Sequence, residues 1–371
     1  MKSSPGLTRL VMILMLHLAK NFMSSIAAPT TQTLPKKTTD TGSRIALIFT
    51  GGTIAVTTDK NAGPVPNLKG SQILERIPEV GRYLPNVETI IYDFSVLPGP
   101  QMSPSMMISL AEFVSAVLED VDGAVITHGT DTLEESAFLL DLCIDTQKPI
   151  VFTGAMHHSL DAGWDGGRNL IDSLGVASSI AFQNEGVLTV LGGSINSAQE
   201  VTKSSTTRSD TFRSLDFGPL GMVDVLASTP PIKLRSSRQR FHIALNEEAD
   251  LPRVELFKTY VGMDDHLFAF AIKEGVSGII VEAMGQGNVP PGALNGIARA
   301  REMHIPVVIC SRCPSGAVRP YYAYEGAGRD LEKLGCLFAP YLNGQKARLK
   351  LMLALAARYD EAKLATIFSL E

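Results

Sequence analysis

An apolar run that ends in Thr50-Gly51-Gly52-Thr53 constrains the fold of this chain more than any other stretch. The run begins at Ile45, is short and is rich in β-branched and aromatic residues, which is typical of a buried parallel strand. The two glycines let the backbone turn sharply and approach a ligand closely. We therefore expect the hydroxyl of Thr53 just past the carboxyl end of a strand, where open α/β sheets bind their ligands.

A phosphate-binding loop is the main alternative interpretation of this glycine pair. That motif needs a helix to begin directly after the glycines, so that backbone N–H groups point at the anion. Residues 55–66 contain prolines and a glycine without a helical period, which indicates a loop. We therefore expect the glycines to present a hydroxyl rather than a nucleotide. The loop runs to about Gly70, a length typical of a lid over a site.

The pattern of strands and helices predicts two α/β domains. The chain has 371 residues, 45% hydrophobic and 19% charged, so it can bury a sizeable core. Strands alternate with helices in residues 44–230 and again in 253–371, which predicts parallel sheets with right-handed crossovers. Residues 231–252 are expected to connect the domains, and the short arginine tract 235–240 is expected to be solvated. The net charge of -5 argues against a nucleic-acid partner.

The first residues of the chain differ in character from the rest. Two basic residues precede an apolar run at 10–19, and small residues follow at 24–28, which is the layout of a secretory signal peptide. The apolar run is too short to span a bilayer stably. We expect residues 1–28 to be a signal peptide and 29–43 a mobile tether, which gives a periplasmic or secreted protein without a membrane partner. Without a functional signal peptide the protein would be cytoplasmic.

A second corner of the predicted sheet also carries reactive side chains. Thr132 and Glu135 have the spacing of a capping box, which predicts a helix from Leu133 onward. Thr130 and Asp131 thus lie between a strand end and a helix N-terminus. That corner combines a hydroxyl, a carboxylate and the positive end of a helix.

These groups suggest nucleophilic chemistry. A threonine hydroxyl is a weak nucleophile until a base removes its proton. The polar stretch 199–207 supplies Lys203, and a lysine can act as a base when burial or a neighbouring charge lowers its pKa. Asp131 can hold that lysine or bind a substrate ammonium. We expect a structural role for His128, which lies beside a strand end.

The cysteines do not predict a metal centre. Cys310 and Cys313 have C-x-x-C spacing, but one such pair is weak evidence for zinc. Cys310 ends an apolar run, which favours a buried thiol. The sequence contains neither a dinucleotide fingerprint nor a metal-ligand spacing, so we expect no cofactor and no metal.

Together these motifs resemble those of the bacterial-type L-asparaginases and glutaminase-asparaginases. The resemblance covers residues 44–371. The matching segments are residues 50–54, 125–135, 148–156, 165–170, 200–203, 217–221, 311–316 and 343–348.

The resemblance implies a fold, an assembly and a reaction. The fold is a larger N-terminal α/β domain with a mixed or parallel sheet, followed by a smaller flavodoxin-like C-terminal domain. The assembly is a homotetramer, a dimer of dimers with sites near the subunit interface. The reaction is hydrolysis of the L-asparagine side-chain amide to L-aspartate and ammonia, without metal or cofactor.

The resemblance also implies roles for individual residues. Thr53 would attack the amide carbonyl and form an acyl-enzyme, and Thr130, Asp131 and Lys203 would activate a hydroxyl or water. Asp131 would also bind the substrate amino group. Backbone N–H groups near Thr130 and Ala155 would stabilise the oxyanion, a contribution of about 3–4 kcal/mol per donor in comparable sites.

The chain departs from the family pattern in ways that leave two alternatives. Gly99-Pro100 stands where many members have Ser-Gln to bind the substrate carboxylate, and residues 54–81 lack the usual lid tyrosine. Tyr322, Tyr324 and Glu325 stand near the position of the neighbouring subunit's acidic residue. One alternative is a glutaminase-asparaginase that acts on both amides. The other is a non-catalytic amino-acid-binding relative.

Overall fold

The computed structural model describes residues 42–59, 63–244 and 250–369. The predicted signal peptide, residues 1–28, and nearly all of the predicted tether lie outside the described residues. The strands are β1 (Ser43–Gly51), β2 (Val56–Asp59), β3 (Gly63–Pro66), β4 (Val87–Leu97), β5 (Gly123–Thr127), β6 (Ile150–Thr153), β7 (Val187–Leu191), β8 (Ser194–Ser197), β9 (Thr202–Lys203), β10 (Phe212–Arg213), β11 (Gly221–Asp224), β12 (Thr229–Lys233), β13 (Val254–Lys258), β14 (Gly278–Ala283), β15 (Val307–Ser311) and β16 (Leu337–Phe338). The helices are α1 (Gly70–Leu74), α2 (Val80–Tyr83), α3 (Pro104–Val117), α4 (Leu133–Cys143), α5 (Gly166–Ala177), α6 (His266–Lys273), α7 (Pro291–Glu302), α8 (Gly328–Lys333), α9 (Gly344–Ala356) and α10 (Glu361–Ser369).

An eight-stranded mixed sheet forms the centre of the N-terminal domain, with the order β12-β11-β8-β7-β6-β5-β1-β4. Along this order, the neighbouring pairs β4-β1, β1-β5, β5-β6 and β6-β7 are parallel. The pairs β7-β8, β8-β11 and β11-β12 are antiparallel. β1 therefore lies between β4 and β5, and three neighbouring parallel strands end at the same edge. This arrangement confirms the predicted α/β class and the mixed sheet of the larger domain.

Residues 45–49 of β1 form an apolar run that is buried on both faces of the sheet. Ala46 and Ile48 pack in one core cluster with α3 and α4. Ile45, Leu47 and Phe49 alternate with them and pack in a second cluster with α5. Full burial of side chains of this size contributes about 1.5–3 kcal/mol each. The packing on both faces fixes the register of β1 and hence the position of the turn that follows it.

The C-terminal domain is a smaller α/β unit. β13, β14, β15 and β16 form a four-stranded parallel sheet in sequence order. α6 and α7 cover one face of this sheet. α9 covers the other face and also belongs to the core cluster that contains α4 of the large domain. The short helix α10 follows α9.

Two connections are more ordered than the sequence predicts. Part of the expected loop 55–70 is an antiparallel hairpin of β2 and β3, in which Pro64 and Pro66 alternate with Val65. Because β3 pairs on one side only, both prolines can turn their nitrogen atoms away from β2. The prediction of an irregular loop is therefore wrong for these residues.

The arginine tract that follows β12 is not solvated as predicted. Arg235 forms an ion pair with Glu200 and donates a hydrogen bond to the carbonyl of Gly218. The guanidinium of Arg238 lies 4.3 Å from the ring centroid of Phe217 and 5.1 Å from that of Tyr341. This segment is thus attached to both domains.

In the described part of the chain, every helix is too short or too polar to cross a membrane.

Candidate active site

Three loops meet at the carboxyl ends of β4, β1 and β5 through contacts between glycines. A Cβ atom added to Gly52, whose φ is 78°, would lie 2.5 Å from Cα of Gly129. A Cβ atom added to Gly129 would in turn lie 2.7 Å from Cα of Gly99. Only glycine permits such close approach of the backbones. The contacts bring Thr53, Thr130 and Gly99 to one corner of the sheet.

The turn after β1 is held from both sides. The Thr50 hydroxyl donates to the carbonyl of Thr127 at 2.8 Å, and the Gly52 N–H donates to the carbonyl of Leu97 at 2.9 Å. Thr53 then begins a 3₁₀ turn and is half-buried. Among the described residues, the Thr53 hydroxyl has no hydrogen-bond partner, so it is available to a ligand.

The structure brings together three of the side chains singled out from the sequence. Nζ of Lys203 donates to Oγ1 of Thr130 at 2.9 Å and to Oδ1 of Asp131 at 2.7 Å. Thr130 is buried, and the Lys203 side chain is 18% exposed, whereas the Asp131 side chain is 62% exposed. Thr130 thus contacts the lysine inside the protein, while Asp131 is open to solvent.

Ala155 lies in the loop after β6, which passes close to Thr130. Two further side chains hold this loop in place. A Cβ atom added to the preceding Gly154 would lie 3.4 Å from Cγ2 of Thr130. Asp165 accepts hydrogen bonds from the backbone N–H groups of Met156 and of the next residue, and Asn169 Nδ2 donates to the Gly154 carbonyl at 3.0 Å. The sequence placed Asp165 and Asn169 in a matching segment but gave them no role.

The loop that contains Gly99 and Pro100 approaches the same corner. These residues form a 3₁₀ turn, and the Thr132 hydroxyl donates to the Gly99 carbonyl at 2.9 Å. Thr132 consequently makes no side-chain capping bond to α4. The predicted capping box is therefore wrong, because the hydroxyl is used to join two site loops.

His128 is buried, and both of its ring nitrogens form hydrogen bonds within the protein. Its Nδ1 lies 2.9 Å from the carbonyl of Gly129, and its Nε2 lies 2.9 Å from Oγ of Ser136. Burial lowers the pKa of His128 to about 4, with a smaller opposing contribution from the bond to Gly129. The imidazole is therefore neutral at physiological pH, donates from Nδ1 and accepts from Nε2.

The cysteines do not form a group of metal ligands in the described part of the chain. Cys310 is fully buried, as predicted, and Cys313 is exposed. Within the described ranges, the one group of side chains close enough to share a metal ion is residues 264–266 of the small domain. A cleft of about 510 Å³ between the domains has Lys203 on its wall.

Sequence analysis missed the residues that hold Lys203. Glu134 is buried and accepts a hydrogen bond from the backbone N–H of Lys203 at 2.6 Å. Asn343 and Gln345, which come from the small domain, donate to the same carboxylate. Both lie in segments that match the family, but their separation of more than 200 residues from Glu134 concealed the contact.

The fold and this geometry define a class of protein. Hydrolases that use a hydroxyl nucleophile need a hydroxyl and nearby groups that accept its proton. Here a hydroxyl at a strand end lies beside a second hydroxyl, an amine and a carboxylate. The family model described as "Asparaginase, N-terminal" matches residues 44–233, and that described as "Glutaminase/Asparaginase C-terminal domain" matches residues 253–368. The chain belongs to the asparaginase family.

Individual relatives match nearly the whole chain. A "Probable L-asparaginase" of Deinococcus radiodurans is 36% identical over 87% of this chain and 97% of its own length. A "Probable L-asparaginase periplasmic" of Haemophilus influenzae is 32% identical over 85% of this chain and 89% of its own length. The crystal structure of a probable cytoplasmic L-asparaginase from Campylobacter jejuni superposes with a TM-score of 0.78 at 29% identity, covering 89% of this chain and all of that one.

Proposed function

We propose that this protein hydrolyses the side-chain amide of L-asparagine to L-aspartate and ammonia. The observation that carries the proposal is the contact of Lys203 with Thr130 and Asp131, beside the glycine turn that presents Thr53, in a member of the asparaginase family. Relatives that carry the name L-asparaginase over most of this chain support the same substrate.

The first step is the formation of an ester. Oγ1 of Thr53 attacks the side-chain carbonyl carbon of asparagine, and the C–N bond breaks as the ester to Thr53 forms. The hydroxyl proton leaves with the nitrogen, which departs as ammonia. In the second step, water attacks the ester carbonyl, and aspartate and the free Thr53 hydroxyl are released.

Thr130, Lys203 and Asp131 serve proton transfer in both steps. The Lys203 amine contacts the Thr130 hydroxyl directly, so a proton taken from Thr53 or from water can pass to this pair. Asp131 holds the lysine with one oxygen and, being exposed, can bind the ammonium of the substrate. Backbone N–H groups near Thr130 and Ala155 are proposed to stabilise the oxyanion.

Ammonia release from L-asparagine and L-glutamine, measured side by side, tests the proposal. The wild-type chain, with and without residues 1–28, is compared with Thr53→Ala, which removes one hydroxyl and one methyl group. Fast release from asparagine that is lost in the variant supports the proposed reaction. Comparable release from both amides indicates a glutaminase-asparaginase. Aspartate binding without ammonia release would favour the non-catalytic alternative.

The assembly and the location belong to the same proposal. We infer a homotetramer with sites near the interface, in which residues 44–230 and 253–371 form the two domains of each subunit. The exposed Tyr321, Tyr322 and Tyr324 of the small domain are suited to an interface, since tyrosine is enriched there. Sedimentation of the purified protein checks the mass of the assembly.

Export to the periplasm or the medium rests on the signal-like layout of residues 1–28 and on the periplasmic relative. The N-terminal residue of the mature protein, recovered from the culture fractions, tests it. Retention of Met1 in the cytoplasmic fraction would contradict export.

A further inference from the structure

The backbone that carries Lys203 is held by the small domain. Oε2 of Glu134 accepts from the backbone N–H of Lys203 at 2.6 Å. Oε1 of the same carboxylate accepts from Asn343 Nδ2 at 2.9 Å and from Gln345 Nε2 at 2.5 Å. Glu134 is 4% exposed. One buried carboxylate therefore joins the start of α9 to the residue whose amine contacts Thr130.

Lys346 also binds the backbone of residues 199–203. Its side chain is 1% exposed, and Nζ donates to the carbonyls of Gln199 and Val201. Burial lowers the pKa of Lys346 to about 8, although the nearby Glu134 and Glu200 act in the opposite direction. The ammonium thus keeps its proton at neutral pH and compensates the buried carboxylates around it.

We propose that Asn343, Gln345 and Lys346 are positioning residues that act through Glu134 and residues 199–203 to place the Lys203 amine against Thr130. The proposal rests on the function proposed above. It assigns to the small domain a part in the chemistry, although no side chain among its described residues forms a hydrogen bond to Thr130.

The physical reason is the short strand pairing of the backbone around Lys203. β9 contains two residues and pairs only with the two residues of β10, so the sheet alone fixes this segment poorly. Proton transfer requires heavy atoms at hydrogen-bond distance, and displacement by about 1 Å can cost about 100-fold in rate. The bonds from α9 supply the missing restraint.

Charge-changing variants test the proposal without deleting a side chain. Gln345→Glu keeps the shape but sets a carboxylate against Glu134. Asn343→Asp does the same and retains an oxygen that can cap α9, where the Asn343 side chain accepts from the Lys346 N–H. Asn295→Asp, the same change on the exposed face of α7, is the control. Lys346→Met is less informative because uncompensated buried carboxylates can prevent folding.

We expect kcat for ammonia release to fall about 10- to 100-fold in Gln345→Glu and Asn343→Asp, with KM changing by about twofold or less. The control should retain wild-type values. The double variant Glu134→Gln with Gln345→Glu exchanges the amide and the carboxylate, and an oxygen of Gln still accepts from the Lys203 N–H. We therefore expect it to regain part of the lost kcat, because the bond to Lys203 is kept while Asn343 Nδ2 loses its acceptor.

Wild-type kcat in both single variants would overturn the proposal. So would a loss of activity that equals the loss of folded protein in thermal unfolding, or a double variant no better than Gln345→Glu, because both indicate a structural role only. A wild-type protein that releases no ammonia would instead refute the proposed function. The two failures are thus distinguishable.

Discussion

The carboxyl ends of parallel strands form an edge in both domains, but the loops beyond the two edges pack differently. At the large sheet, Gly52 and Gly129 leave no room for a Cβ atom, and the loops touch. At the small sheet, a Cβ atom on Gly285 would meet nothing within 4 Å. Close contacts between glycines therefore join the loops at the large edge, whereas Gly285 makes no such contact at the small edge.

The polar side chains at the two edges also differ in what they contact. At the small edge, Lys258 pairs with Glu282 at 3.1 Å, and the Ser311 hydroxyl donates to the Gly285 carbonyl at 2.7 Å. At the large edge, Lys203 contacts Thr130, and the Thr53 hydroxyl is unpartnered among the residues that the structure describes. The first edge uses its polar groups to hold itself together, and the second leaves a nucleophile available.

Thr53→Ala, at the large edge, should cause the largest loss of kcat. Loss of the nucleophile should lower kcat by about 10⁴- to 10⁶-fold, because the acyl-enzyme cannot form. Ser311→Ala at the small edge is the matched control and should retain activity. Ammonia release and thermal unfolding are measured on both variants. Turnover that persists in Thr53→Ala would remove the proposed mechanism.

Lys203→Met should reduce kcat by about 10³-fold, because it removes the amine that receives the proton. Lys258→Met, at the small edge, should leave kcat close to the wild-type value, since the Lys258 side chain is 64% exposed and its ion-pair partner is Glu282. The dependence of the rate on pH is recorded for all three proteins. A Lys203→Met profile and rate equal to the wild type would show that this amine is not the base.

The pH dependence of stability distinguishes the histidine of the large edge from one at the surface. The pKa of His128 lies at about 4 in the folded protein and at about 6.5 when unfolded, so the unfolded state binds more protons between these values. The free energy of unfolding should therefore fall by about 3 kcal/mol as the pH is lowered from about 6.5 to 4. Urea titrations at several pH values measure this slope.

His128→Asn, which can still donate to Gly129, should be less stable but should lose this part of the slope. His304→Asn, at the exposed turn after α7, is the control and should keep the wild-type slope. Identical slopes in wild type and His128→Asn would contradict the assignment.

Gly129→Ala should have the smallest of these effects, a loss of about 1–3 kcal/mol in unfolding free energy together with reduced kcat. The added methyl group would push apart the loops of Gly99 and Gly52. Gly81→Ala, where a Cβ atom meets nothing within 4 Å, should be neutral or slightly stabilising. Chemical denaturation compares the two, and equal stabilities would show that the loop contact is not needed.

The sequence by itself determined the parts of this protein that depend on local pattern. Buried strands appear in the sequence as apolar runs, so β1, β5 and β6 could be predicted. Their carboxyl ends then indicated which edge of the sheet carries the site. Thr53, Thr130 and Asp131 could be selected because each follows a strand end within a few residues. The N-cap of α3 is also a local feature, because Ser103 precedes Pro104 and its hydroxyl accepts from the N–H of Met106.

Only the tertiary structure decided which distant groups share the site. The sequence could not show that Thr132 joins Gly99 instead of capping α4, because both bonds are available to the same hydroxyl. Nor could it show that Gln345 contacts Glu134. Hydrogen bonds between side chains depend on distances of a few tenths of an ångström, which local pattern does not encode. These distances are set when α9 packs against α4 and the two domains share one core.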